Sequence, residues 1–369
     1  MDDPLEGAAG GPRRLLGPIG VYCASRVATL FAAHVANVLA VDLTFADILS
    51  RWDSGWYLSI VAGGYDYEVL PGQPSNIAFF PLFPLLIRGV AALTGLSPLA
   101  AGVTVSLLGG LAGIVAVYLL AEHVAGRAGA RRTAALLAFF PGAFVFSMVY
   151  TEGLFIAAAA TSLLALLRRQ WVVGGAAAAV ASATRPNGLV LALCCAYVAL
   201  PAAWRARSVR PLAAVVIAPL GAVAYAIYLQ LRTGSAASWL RANDGFGQEA
   251  DWGASVWRGL GVFVRSPTYD FNILVAVMGV ALFLVGLGLM VSQRMPGVFM
   301  VYVVGLMAPV LLKTGFGATS RYLMVAFPAV MVLAVAASRP AVYSSLLGVS
   351  AGAMTSLMVV QGASMALTP

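Results

Sequence analysis

Residues Leu15–Ala40, LLGPIGVYCASRVATLFAAHVANVLA, form an apolar run that holds a single formal charge, Arg26. About 20 residues of helix cross the roughly 30 Å of bilayer hydrocarbon, so this run is long enough to span. It is too long for a cleaved signal h-region, and the preceding MDDPLEGAAGGPRR is too acidic and glycine-rich for an n-region. The run therefore reads as a retained anchor. Apolar stretches recur near 99–121, 133–149, 153–167, 171–184, 187–203, 211–231, 271–291, 297–312, 322–337 and 342–361, which makes about eleven spans. Over all 369 residues 61% are hydrophobic and 10% charged, against about 25% charged in soluble domains. Mean hydropathy is +0.91. A water-soluble enzyme is excluded. The expected fold class is an all-α polytopic membrane protein, one domain over 1–369, with outer loops at 41–98 and 232–270.

The stretch 78–95 is apolar enough to insert, but Pro81 and Pro84 break its first turns and Arg88 interrupts it. The positive-inside rule arbitrates. With 78–95 lying on the membrane, Arg13, Arg14, Arg127, Arg131, Arg132, Arg168, Arg169, Arg205, Arg207, Arg210, Arg294 and Arg339 share one side. That side holds only Asp2, Asp3, Glu6 and Glu122. The opposite side receives Asp42, Asp47, Asp53, Asp66, Glu68, Glu152, Asp244, Glu249, Asp251 and Asp270, ten of the fourteen acids. A full span at 78–95 scrambles this sorting. The expected topology has a cytoplasmic N-terminus, short basic cytoplasmic loops and two outward loops.

The net charge of +8 is accounted for by arginines at the anionic leaflet, and no nucleic acid is called for. There is no Walker sequence and no GxGxxG after a strand. Three cysteines and two distant histidines, His34 and His123, build neither a disulfide framework nor a metal site, so no metal and no cofactor are expected. The basic residues are arginine except Lys313, and alanine is abundant, which points to a GC-rich bacterial genome.

In the first outer loop, Trp52, Trp56, Tyr57 and Ile60 recur at helical spacing and predict a short interfacial helix. Asp53 opens it. As a structural residue Asp53 is an N-terminal cap, and Asp42 and Asp47 are equally available carboxylates. Three further polar spots lie at outer ends of spans: Tyr150-Thr151-Glu152, Arg185-Pro186-Asn187-Gly188 and Thr319-Ser320-Arg321-Tyr322. Singly, each has a structural reading: Glu152 suits a helix N-terminus, Arg185 a C-terminus, Pro186 position N1, and Arg321 snorkels. Together, one acid-rich loop, Glu152 and two arginines converge on one face at membrane depth, where ionisable groups mark function. Arginine forks match phosphate oxygens. A reaction on the outer leaflet has no nucleotide at hand, so an activated group must arrive on a lipid carrier.

The motifs WDSGWYLSIVAGGY (Trp52–Tyr65), AFFPLFPL (Ala78–Leu85), FPGAFVFSMVYTEGLF (Phe140–Phe155) and ATRPNGL (Ala183–Leu189) occur in an order that resembles the PIG-V family. That family, the second mannosyltransferase of GPI-anchor assembly with its bacterial homologues, lies within the GT-C glycosyltransferases. The likeness covers the first half of the chain, and TSRYLMVAFP (Thr319–Pro328) is its best late element. It implies a GT-C fold and inverting transfer of a sugar, typically mannose, from a polyprenyl-phosphate donor. It makes Asp53 the general base, with Arg185 and Arg321 at the donor phosphate. Glu152 then orients sugar hydroxyls or braces an arginine. Trp52, Tyr57 and Asn187 fall in the same motifs and are expected to contact substrate.

Eukaryotic members act in the endoplasmic reticulum, but the composition here points to a bacterium and the charge sorting to an outward site. A multi-pass protein of the bacterial plasma membrane with an extracytoplasmic site is therefore expected. Bacteria make no GPI anchors, so the acceptor stays open among glycolipid, glycan and protein. The 232–270 segment, with Trp239, Trp252 and Trp257, offers stacking faces for an acceptor or an aromatic belt. No motif reads the sugar, so glucose, galactose or arabinofuranose stay possible. A transporter or flippase of a polyprenyl-linked saccharide is the second reading, and it expects charged or broken segments near the bilayer midplane.

Overall fold

The computed structural model describes residues 12–40, 43–247, 250–266, 271–314 and 319–363. Asp2, Asp3, Glu6, Asp42, Glu249 and Asp270 of the charge sorting lie outside them. Helix α1 covers Leu16–Leu39, and the 41–98 segment holds α2 (Phe45–Leu49), α3 (Asp53–Gly63) and α4 (Leu82–Thr94). Then follow α5 (Pro98–Ala138), α6 (Glu152–Leu167), α7 (Trp171–Thr184), α8 (Val190–Ala206), α9 (Leu212–Ile217) and α10 (Leu220–Thr233). The 232–270 segment carries α11 (Ser238–Asp244) and α12 (Ala254–Arg265). The chain ends with α13 (Phe271–Ser292), α14 (Gly297–Leu311), α15 (Thr319–Val325), α16 (Phe327–Ala336) and α17 (Pro340–Ala363).

Six helices among the described residues are long and apolar enough to cross a bilayer, or seven if a bent pair counts as one, and the expected eleven apolar stretches do not each form a helix of that length. The difference has local causes. The 133–149 stretch is not one helix: its first residues end the part of α5 that follows a kink at Gly126 (φ 69°), and 3-10 turns at Pro141–Ser147 come next, which meet α6 at 110°. Pro141 ends the α-helical pattern there. Helices α7, α14 and α16 have 14, 15 and 10 residues, and at 1.5 Å per residue none reaches about 30 Å. The 322–337 stretch is divided at Ala326, before Pro328, whereas α9 and α10 together, Leu212–Thr233, count as one of the six despite the break at Pro219. The 78–95 stretch is the short α4, whose Phe83 and Ile87 are buried. Its Arg88 donates to the Ile60 and Val61 carbonyls in the last turn of α3.

Broken helices free backbone carbonyls, and in a membrane protein these need partners inside the protein. Arg26 of α1, 6% exposed, supplies them. Its guanidinium donates to Ala143 O (2.7 Å), Ala138 O (3.1 Å) and Ser147 Oγ (3.1 Å). Tyr22 and Phe146 flank it at 5.1 and 5.4 Å. The 3-10 segment is thereby tied to α1. Ser106 of α5 then clamps the next turn, accepting from Tyr150 N (3.1 Å) and donating to Tyr150 O (3.0 Å).

Helices α5 and α6 cross where glycine removes the side chain from both. A Cβ on Gly153 would lie 2.4 Å from Gly110 N and 2.7 Å from Gly110 Cα. Small residues of this kind let membrane helices approach backbone to backbone. The charges sort to two ends of the bundle. At one, Arg14 and Arg127 meet Glu122 at 3.5 and 3.4 Å, and Arg132 reaches Ala337 O. At the other, Arg51 donates to Gln361 O, and the polar residues flanking α3, α6 and α15 collect. Gly153→Val is expected to destabilise the protein by about 1–3 kcal/mol through overpacking. Thermal unfolding of the purified protein in detergent measures it, and an unchanged midpoint would refute this crossing.

Candidate active site

Asp53 is the first residue of α3, and the backbone turns into that helix through Trp52 at φ 58°, ψ −123°. A non-glycine residue with positive φ costs about 1–3 kcal/mol and persists only where surroundings impose it. The cap position belongs to Trp52, whose side chain makes no cap bond, and Asp53 follows it as the first helical residue. The Asp53 Oδ2 accepts from Arg321 Nη1 at 2.6 Å. Asp47, by contrast, is consumed locally: Thr44 N and Oγ1 donate to its Oδ2 at 2.8 and 2.6 Å in a capping box. Those bonds hold the Asp47 carboxyl below the usual carboxylate range. Asp42 lies outside the described residues.

Glu152 opens α6, directly after the turn that Ser106 clamps, and its side chain is 1% exposed. Arg185 ends α7 in extended backbone, as the residue before Pro186 prefers. Gly188 then lets the RPNG turn close onto α7, since a Cβ there would sit 2.4 Å from the Ala181 carbonyl. Arg321 sits in α15, whose Val325 carbonyl accepts from the Tyr302 hydroxyl at 3.0 Å. Far from snorkelling, Arg321 is 8% exposed.

These four side chains join into one row of ion pairs. Arg185 Nη1 donates to Glu152 Oε1 at 2.5 Å, Arg321 Nε lies 3.3 Å from the same oxygen, and Arg321 Nη1 reaches Asp53. Glu152 braces both arginines. Two positive and two negative charges balance, which is what lets them be buried. Asp53, one-third exposed, is the open end of the row. Glu152 Oε2, the Tyr150 hydroxyl and Trp52 Nε1 are buried without hydrogen-bond partners among the described residues.

The other expected contacts fall around this row. Tyr57 is buried, edge-on to Phe79 and Phe83 at 5.1 and 4.9 Å. Its ring thus supports α3 from behind. Asn187 is half-buried in the turn beside Arg185. Trp56, one helical turn beyond Asp53, stacks on Phe79 at 5.8 Å and meets Phe246 edge-on at 5.3 Å. In the second outer loop Trp239 packs against Phe80, whereas Trp252 and Trp257 are exposed. Two residues without an assigned role in the sequence reading belong here. Tyr322 stands 5.7 Å from both the Arg185 and the Arg321 guanidinium carbons, and Tyr150 stands 5.3 Å from that of Arg321. Their only signal was adjacency to Arg321 and Glu152, and aromatics at span ends ordinarily read as a belt.

The family model described as Mannosyltransferase (PIG-V) matches residues 23–231. Among curated proteins none matches the chain. Among solved structures, the fold is similar to ArnT from Cupriavidus metallidurans, bound there to undecaprenyl phosphate, with TM-score 0.55 and 17% identity. The match covers 87% of this chain and 61% of that one, so this chain spans under two-thirds of ArnT's length. The Archaeoglobus fulgidus oligosaccharyltransferase, in complex with Zn and sulfate, aligns with TM-score 0.48 and 15% identity over 93% of this chain and 54% of that one. The polytopic all-α architecture is GT-C-like.

Truncating Glu152 leaves two arginines facing each other without their shared anion. Glu152→Ala is therefore expected to cost about 3–5 kcal/mol, and Asp53→Asn distinctly less, because Asp53 sits at the open end. Paired thermal melts in the same detergent give the order, and the reverse order would refute the bridging role of Glu152.

Proposed function

This chain belongs to the mannosyltransferase (PIG-V) family, and from that premise we propose that it transfers a sugar, mannose by family expectation, from a polyprenyl-phosphate donor to an extracytoplasmic acceptor with inversion. The carrying observation is the row Asp53–Arg321–Glu152–Arg185, in which a single carboxylate remains open beside two arginines held in place.

The roles follow from charge. The donor's phosphate is the leaving group, so negative charge grows on it as the bond from the anomeric carbon to the phosphate oxygen breaks. Arg321 and Arg185, fixed by Glu152, meet that charge, and donors fixed in advance need no reorganisation at the moment of reaction. The acceptor hydroxyl oxygen forms the new bond on the opposite face and passes its proton to Asp53. A phosphate arriving at Arg321 competes with Asp53 for the guanidinium, which frees the carboxylate when the donor is in place. Polyprenyl phosphate departs with the bonding electron pair.

The transport reading draws on Arg26 and the broken 141–151 segment. Arg26, however, is held by fixed carbonyl, hydroxyl and aromatic partners, and among the described residues it has no acidic partner to exchange with. The outward site rests on the arginine sorting, and the bacterial membrane on the arginine- and alanine-rich composition.

Purified protein given radiolabelled polyprenyl-phosphate-mannose and a lipid extract of the native host is expected to form labelled product. Asp53→Asn should lower the rate by about 10²–10⁴, and Arg321→Gln should also raise the donor KM. Equal transfer by wild type and Asp53→Asn would remove Asp53 from this role. Sidedness is tested with Gln73→Cys in intact cells and a membrane-impermeant maleimide. Labelling only after lysis would overturn the outward assignment.

A further inference from the structure

At the far end of α3, about 15 Å along its axis from Asp53 at 1.5 Å per residue, a cleft of about 580 Å³ opens between α4 and α10. On the α10 side it is lined by the stripe Ala224, Tyr228 and Arg232, and on the α4 side by Leu85 and Arg88. Two arginines thus line one cavity, and among the described residues no carboxylate does. Neither has an ion-pair partner among the described residues. The neighbouring groove holds two acids: Asp66, which accepts from Ser75 Oγ and Asn76 N at 2.7 and 3.2 Å, and Glu68, which is exposed and ion-paired with neither arginine.

What holds these arginines is neutral. Arg88 donates from Nε to Val61 O and from Nη2 to Ile60 O, and Arg232 donates from Nη2 to Tyr65 O at 2.6 Å. The end of α3 contributes at most about half a negative charge, so the cleft keeps a positive surplus. Arg232 is stacked on Tyr67, its guanidinium carbon 3.5 Å from the ring centroid. Its Nε is buried with no partner among the described residues, a donor left over after the fold has been satisfied.

The surroundings separate a lipid from a soluble anion. Beside the lining stripe on α10 runs a second one, Val223, Ile227 and Leu231, at the same helical spacing and exposed, and Leu85 and Leu86 of α4 are exposed as well. Apolar faces flanking a cationic, tyrosine-lined cleft suit a ligand with phosphate at one end and acyl chains at the other. A free anion gains nothing from those faces. We infer that this cleft binds the phosphate headgroup of a membrane phospholipid, its chains lying along α10. Such a lipid ties the end of α3 to α10. The inference does not depend on the transferase reading, since the cleft lies a helix length from the ion-pair row.

The full chain in an uncharged detergent is titrated with dioctanoyl phosphatidylglycerol, and bound lipid is read by native mass spectrometry. Parallel titrations use dioctanoylglycerol, which lacks phosphate, and inorganic phosphate as competitor. Wild type is expected to retain one phosphatidylglycerol. Arg232→Gln and Arg88→Gln should each weaken retention by about tenfold or more, and Arg88→Lys should keep most of it. Undiminished retention in both glutamine variants overturns the site. So does equal retention of dioctanoylglycerol, which marks a merely apolar groove, or displacement by equimolar inorganic phosphate, which marks a soluble-anion site. Should Arg232→Gln fail to fold, the exposed Arg88 and its lysine variant decide. Asp53→Asn protein is expected to bind the lipid as wild type does, so loss of transfer and loss of lipid are told apart.

Discussion

A carboxylate buried at the end of a membrane bundle is tolerable only when cations meet it at contact distance, because neither water nor lipid can solvate it there. Glu152 is such a group, and Arg185 and Arg321 meet it. Arg185 sits where α7 ends before Pro186, Arg321 lies in the first turn of α15, and each is aimed by the same acid. Through Arg321 the row reaches Asp53 at the start of α3. Four segments far apart in sequence are thus held in register by one anion, and much of the outer architecture follows from that requirement.

Behind the row stands a scaffold that lets helices be short. The 3-10 turns at Pro141–Ser147 leave carbonyls that a continuous helix would have satisfied, and Arg26 satisfies them from α1. Ser106 fixes the following turn from α5, and Gly110 and Gly153 let α5 and α6 touch backbone to backbone. The break in the chain is therefore functional in form: it delivers Tyr150 and Glu152 to the end of the bundle at an angle a straight helix would not give. The strained backbone at Trp52 does the same for Asp53.

Helix α3 connects the two polar regions of the outer face. Its first residue belongs to the ion-pair row, and its last-turn carbonyls hold Arg88 at the lateral cleft. Between them Trp56 lies under Phe79 and Phe246. A chemistry that brings a lipid-carried donor and an acceptor to one carboxylate needs such a rigid element at headgroup depth, braced at both ends.

Much of this was legible in the residues themselves. Hydropathy identified a polytopic helical protein, arginine sorting kept α4 off the list of spans, and the spacing of Trp52, Trp56, Tyr57 and Ile60 announced α3. Asp53, Glu152, Arg185 and Arg321 could be grouped because ionisable residues at span ends are few. Hydropathy did not foresee how the apolar stretches are cut into helices, since it averages over windows and does not register that proline and 3-10 turns shorten helices while apolar composition persists. It also gave Arg26 no task, because the carbonyls it serves belong to a break over a hundred residues away. Only the tertiary structure decided that Glu152 bridges both arginines, that Asp47 is spent on its own helix cap, and that Tyr150 and Tyr322 flank the guanidiniums. Composition and period are properties of neighbours along the chain, whereas the pairing of charges depends on which helix ends meet in space.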